Sequence, residues 1–183
     1  MHARRTTLAI AATVTIAVAC YKDVGSYPTS TNTPTNNTPA GPVNNNVTFT
    51  ATMTGAKENP ANTSSGTGTF TATIDTLTNV LTYDLTFTGL TSPVNNGHIH
   101  GPAAATANAG TTINFNTLPG ATFSFGQTSG TAHGIALLTA GTQITATVNG
   151  DSLKKLIFAG LTYANIHTTQ FGGGEIRGQI TKQ

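Results

Sequence analysis

Charge is what this sequence has least of: only 8% of its residues are Asp, Glu, Lys or Arg, with no tryptophan and a single cysteine. One cysteine excludes any disulfide within the chain, so whatever folds must be held by an apolar core. A helical protein of 183 residues would carry far more Glu, Lys, Ala and Leu on its surfaces, which disfavours an all-helical fold. The length allows one ordinary domain plus appendages. No Gly-x-Ser-x-Gly elbow, Walker loop or zinc-protease motif occurs, and this removes the common hydrolase and nucleotide-binding classes.

What is present begins with an address. Arg4 and Arg5 precede an apolar stretch from Leu8 to Ala19, too short to span a bilayer comfortably but suited to a secretory signal. It ends Ala17-Val18-Ala19-Cys20, which resembles a lipobox, with small residues before a cysteine that is lipidated and becomes the mature N-terminus. Ala17 departs from the large aliphatic residue usual there, and the alternative is a plain signal cleaved near Ala19. Residues 1–19 are therefore expected to be a signal peptide. Residues 20–46 would be the lipid-attachment cysteine and a tether of Pro, Thr and Asn too polar to repay its ordering entropy. As a flexible chain it would span roughly 28 Å. The expected location is a bacterial cell envelope, lipid-anchored to a membrane and facing periplasm or exterior, or else secreted.

Removing the signal also removes the net charge of +2. Lys22, Lys57, Lys154, Lys155, Arg177 and Lys182 then balance Asp23, Glu58, Asp75, Asp84, Asp151 and Glu175. A neutral domain has no basic field to steer phosphates, so nucleic acid is not an expected partner.

From residue 47 to 183 the pattern has period two. Val47, Phe49, Ala51 and Met53 alternate with threonines; so do Phe70, Ala72 and Ile74; Leu81, Tyr83, Leu85 and Phe87 alternate with Thr82, Asp84, Thr86 and Thr88. Such runs are half-buried strands, with β-branched threonine on the wet face. Further strands are expected around Ile113–Phe115, Thr122–Phe125, His133–Leu138, Gln143–Val148, Tyr163–Thr168 and Glu175–Thr181. One short helix is expected at Ser152–Phe158, capped by Asp151 or Ser152 and ended by Gly160. The fold class is all-β: a Greek-key β-sandwich or flattened barrel of about eight or nine strands with one short helix.

Few side chains after the signal can do chemistry, and four of them are His98, His100, His133 and His167. In a strand, His98 and His100 share a face while Ile99 takes the other, placing the imidazoles about 7 Å apart along the strand. With Ile99 in the core both rings face outwards, where two neutral imidazoles can meet one metal ion. The same parity in Tyr163–His167 puts Ala164 and Ile166 inward and His167 outward beside Asn165. In the last strand it puts Ile176 and Ile180 inward, and Glu175, Arg177 and Gln179 outward. His98, His100 and His167 are thus candidate ligands for copper or zinc, with Glu175, Arg177 and His133 as supporting residues. A structural role competes with each assignment. His98 and His100 could bond to the loop opened by Gly101-Pro102, Glu175 and Arg177 could form an ion pair, and His133 could be a loop-edge histidine.

Three segments carry a family resemblance: FTATMTGAKENPANTSSGTGTFTATID, LTYDLTFTGLTSPVNNGHIHGPA and LTYANIHTTQFGGGEIRGQI. They resemble the CHRD (chordin-type) domain over essentially all of residues 47–183, with Asn59-Pro60-Ala61 a departure where that family has a hydrophobic residue and two prolines. The resemblance implies a secreted or surface-attached β domain with no established catalytic activity. On that basis the expected function is a non-enzymatic binding, adhesion or scaffolding module, whose partner would be a protein or glycan. A weaker resemblance runs through Thr88-Gly89-Leu90-Thr91 and His98-Ile99-His100. It is similar to the segment of copper/zinc superoxide dismutases that supplies two copper ligands, and Asn165-Ile166-His167 stands where another copper histidine lies. A dinuclear site needs more histidines than the four that remain, and the disulfide is missing. That likeness implies at most a mononuclear copper or zinc site, and it is the basis of the alternative, a metal-binding or redox protein.

Overall fold

The computed structural model describes residues 44–183. The expected signal segment, Cys20 and nearly all of the tether lie outside these residues. Within them the fold is all-β with a single short helix, and no helix there is long and apolar enough to cross a membrane.

The alternating runs form the regular half of the molecule. Strands β1 (Asn46–Thr54), β2 (Thr67–Asp75) and β3 (Val80–Thr88) pair antiparallel over nine residues each. Their registers set large residues opposite small ones on the inner face: Phe49 against Ala72, Phe70 against Ala51, Tyr83 against Ala72. The hairpin between β2 and β3 turns at Asp75–Asn79. There Asp75 Oδ1 accepts from the amides of Leu77 and Thr78, and Asn79 adopts φ 59°, a conformation Asn tolerates better than most residues.

The remaining strands are β4 (Val94–His100), β5 (Thr111–Asn114), β6 (Thr122–Phe123), β7 (Gly130–Leu137), β8 (Tyr163–Thr168), β9 (Ile176–Gln179) and β10 (Thr181–Lys182). All belong to one curled antiparallel sheet in the order β5-β4-β8-β9-β1-β2-β3-β7-β6, with β10 pairing with β1. The flattened-barrel form of the expectation describes this better than two separate sheets. Inside the curl, Phe70, Tyr83 and Phe115 stack, with Phe123 tilted against Phe115. Phe70, Tyr83 and Phe115 bury fully or nearly so, at roughly 2–3 kcal/mol each, and Phe123 only partly. Gly134 faces Tyr83 across the β3–β7 ladder, where a Cβ would lie 2.3 Å from the Tyr83 hydroxyl; only glycine admits the ring.

Two expectations need correction. Residues 143–148 are not a strand. The amides of Ile144 and Thr145 both bond to Val148 O, folding the segment into a tight loop that keeps only an isolated bridge between Gln143 and Asn149. The helix α1 (Gly150–Phe158) starts earlier than expected, because the cap is Asn149, whose Oδ1 accepts from Ser152 N at 2.9 Å. Leu153 and Ile157, one turn apart, face the core, and Gly160 follows at φ +67°.

Candidate metal centre

The three candidate histidines lie on two adjacent strands. The antiparallel register of β4 and β8 sets His98 opposite Asn165, His100 opposite Tyr163 and Asn96 opposite His167, while Ile99 meets Ala164 on the inner face. Directly opposed residues share a face, so Asn96, His98, His100, Tyr163, Asn165 and His167 all project outward. From β9, Arg177 opposite Asn165 and Gln179 opposite Tyr163 extend the same face.

That face is outward but not wet, which the parity argument could not foresee. Residues 101–110, the segment around the 3₁₀ turn Gly55–Lys57, and residues 169–174 fold over it. His100 is 8% and His167 9% exposed, Asn165 3% and Arg177 1%. Only His98 is half-buried. It lines, with His167, Asn95, Asn96 and Gly172, a shallow cleft of about 410 Å³ that opens the cluster to solvent.

The geometry is that of a ligand set. One nitrogen from each of His98, His100 and His167 lies within 4.8 Å of the other two. His98 Nδ1 and His167 Nε2 are 3.1 Å apart. The second nitrogens are tied down. His100 Nδ1 donates to Ala109 O at 3.0 Å and His167 Nδ1 to Gly172 O at 3.0 Å. Those carbonyls fix the tautomer and turn both Nε2 lone pairs towards the cluster, as backbone acceptors orient metal-bound histidines; the His167 lone pair accepts from His98 Nδ1–H, a proton that a metal ion would displace. His100 Nε2 is buried with no partner. Burial, followed by mutual repulsion with neighbouring rings, pushes His98 down to about 4, and burial likewise takes His100 to about 4 and lowers His167. The rings are therefore neutral at pH 7, the form that binds metals. With bonds of 2.0–2.1 Å, tetrahedral ligand nitrogens stand about 3.3 Å apart, so the widest pair must close by roughly 1.5 Å, within the reach of rotamer adjustment. The residues fit a three-histidine site with one position left open.

The supporting residues fall in three different places. His133 sits within β7, opposite Asp84, and its Nδ1 meets Asp84 Oδ1 at 2.8 Å on the exposed face. It is neither a loop-edge residue nor part of the cluster. Glu175 and Arg177 do not pair with each other. Glu175 precedes β9 and accepts from Ser64 Oγ, Thr91 N and Thr168 Oγ1 at 2.6–2.7 Å. Burial alone would raise its carboxyl, but these hydrogen bonds together outweigh it and hold the group below the usual range. Arg177 reaches the other way, towards residues 104–108, and its guanidinium carbon lies 3.5 Å from the Tyr163 ring centroid.

Tyr163 and Glu58 belong to the site as well. Tyr163 stacks on His100 with ring centroids 4.8 Å apart and 6° between planes; its position two residues from Asn165 and four from His167 was a legible signal. Glu58 Oε2 accepts from Asn165 Nδ2 at 3.2 Å, and burial raises its carboxyl to about 7. Nothing local in the sequence points to Glu58.

A family model for the CHRD domain matches residues 49–180. This chain belongs to the CHRD domain family. Neither curated proteins nor solved structures give a match. The family match runs from within β1 through β9 and includes every residue of the histidine cluster, so the cluster is part of the CHRD domain itself, not an appendage to it.

Proposed function

We propose that this CHRD protein is a secreted, envelope-anchored and non-enzymatic module that binds a transition-metal ion, copper or zinc, through His98, His100 and His167. The observation that carries the reading is the free lone pair on a buried, unpartnered His100 Nε2, in a cluster where two of the three rings are locked by backbone carbonyls. A buried polar atom without a partner is costly, and an ion would remove that cost.

Metal analysis of the purified protein tests it, after loading with copper or zinc and removal of excess ion. One equivalent is expected in the wild type and none in His100→Ala. Background metal in both would sink the proposal. The anchor has its own test: Cys20 should carry acyl mass and hold the protein in the detergent phase. A Cys20→Ser variant that stays membrane-associated would refute it.

A second reading, docking of a partner protein, draws on a separate cleft of about 780 Å³ in which Ile135 and Leu137 are 49% and 46% exposed. Ile135→Glu would weaken such docking and leave the metal content unchanged.

A further inference from the structure

Arg177 brings a guanidinium cation into the interior, and no carboxylate among the described residues is bonded to it. Its Nη1 donates to Asn108 Oδ1 at 2.8 Å, and its Nη2 to Ala107 O at 2.7 Å and Ala104 O at 3.3 Å. β8 lies between β4 and β9, so His100 reaches the Tyr163 ring from one side and Arg177 from the other. The guanidinium is therefore one aromatic ring removed from a candidate ligand. Tyr163 also bonds through its hydroxyl to Ala109, the residue whose carbonyl fixes His100.

Set against that charge is very little negative charge. Among the described residues, the group able to hold an ion consists of three imidazoles, with no carboxylate and no thiolate. Each imidazole is a neutral ligand. Glu58, reached through Asn165, is raised by burial to about 7 and carries only part of a charge at neutral pH. An ion entering this site keeps its whole formal charge in a place only partly open to solvent, with a fixed cation one aromatic ring away.

The cost of that depends steeply on the ion. Born desolvation scales with the square of the charge, so a monovalent ion costs about a quarter of what a divalent ion does. Repulsion from Arg177 scales with the first power and is halved. Zinc has no state other than Zn(II), whereas copper has a monovalent state, and imidazole suits copper. Resting on the metal-binding reading above, we propose that the three-histidine site selects monovalent copper over Zn(II) and Cu(II), and that Arg177, stacked behind Tyr163, enforces the preference.

The test uses the full chain. Cu(I) is titrated without oxygen against a chromophoric Cu(I) chelator, Zn(II) against its own chelator, and the reduction potential of the copper-loaded protein is measured. Expected are tighter binding of Cu(I) than of Zn(II), and a potential above that of the aqueous copper couple. Arg177→Met should lower the potential by at least about 59 mV, a tenfold loss of preference for the reduced ion. Arg177→Lys, which keeps the charge, should retain most of the wild-type value. Zn(II) bound as tightly as Cu(I) in the wild type overturns the proposal, whatever happens to the variants. So does an unmoved potential in Arg177→Met. Failure of all three ions to bind removes the metal reading itself, which is a different result.

Discussion

The two halves of the sheet obey the same alternation and use it differently. In β2 and β3 the inner residues are buried while the outer threonines stay at least partly wet, whereas all six residues of β8 are buried. Both halves are strands with an apolar inner face, so the difference lies in what covers the outer one. Over β2 and β3 the threonines need only water. Over β4, β8 and β9 three chain segments bring carbonyls, amides and a carboxyl, and the outer face becomes a second, polar interior. A sheet can build a site on its outer face only when loops close over it.

Substitutions can break or sharpen this contrast. The largest effect is expected in the regular half. Phe70→Ala removes a buried ring from the aromatic stack and should cost about 3–5 kcal/mol in denaturant unfolding. Next comes a threonine whose outward position is covered, unlike those of β2. Thr168, in β8, is fully buried and donates to Glu175 Oε2 at 2.6 Å. Thr168→Val should cost about 1.5–3 kcal/mol, because a buried carboxylate loses a donor.

A pH series is expected to move the half built on β4, β8 and β9 more than the half built on β1 to β3. Below about pH 6.5 the unfolded chain takes up imidazole protons that the folded His98, His100 and His167 refuse, so stability falls as pH drops towards about 4. Glu175 acts in the same direction at lower pH. Glu58, raised to about 7, acts in the opposite one and offsets part of the loss. After discount for solvent screening of partly exposed rings, the net loss between pH 7.5 and 5 should be about 1–2 kcal/mol in metal-free protein. Amide exchange, corrected for its intrinsic pH dependence, should rise in β8 and stay nearly level in β2. Equal changes in both strands would show that the histidines are not what titrates. The smallest effect belongs to Thr69, on the outer face of β2, where Thr69→Val should stay within about 0.5 kcal/mol by thermal unfolding.

Much of this was legible beforehand. The strands that alternate cleanly, β1 to β3, and the hairpin at Asp75–Asn79 follow from local patterning. So does the shared face of His98, His100 and His167. The segment 143–148 misled because Ile144 and Val148 give an apolar rhythm while local bonds to Val148 O close a loop instead. Glu175 and Arg177 also misled. Parity places them on one face of a strand, but β9 begins only at Ile176, after Gly174 at φ +130°, and the two side chains leave in different directions.

By itself the sequence determined the fold class, the family and which side chains share a face, because period-two geometry and family motifs are properties of short stretches of chain. Tertiary structure decided that the outer face would be dry, which imidazole nitrogens would be free, and that Arg177 would stand behind Tyr163. Those features depend on partners far apart in the chain, such as Asn165 and Glu58, separated by 107 positions, and no local pattern encodes such a meeting.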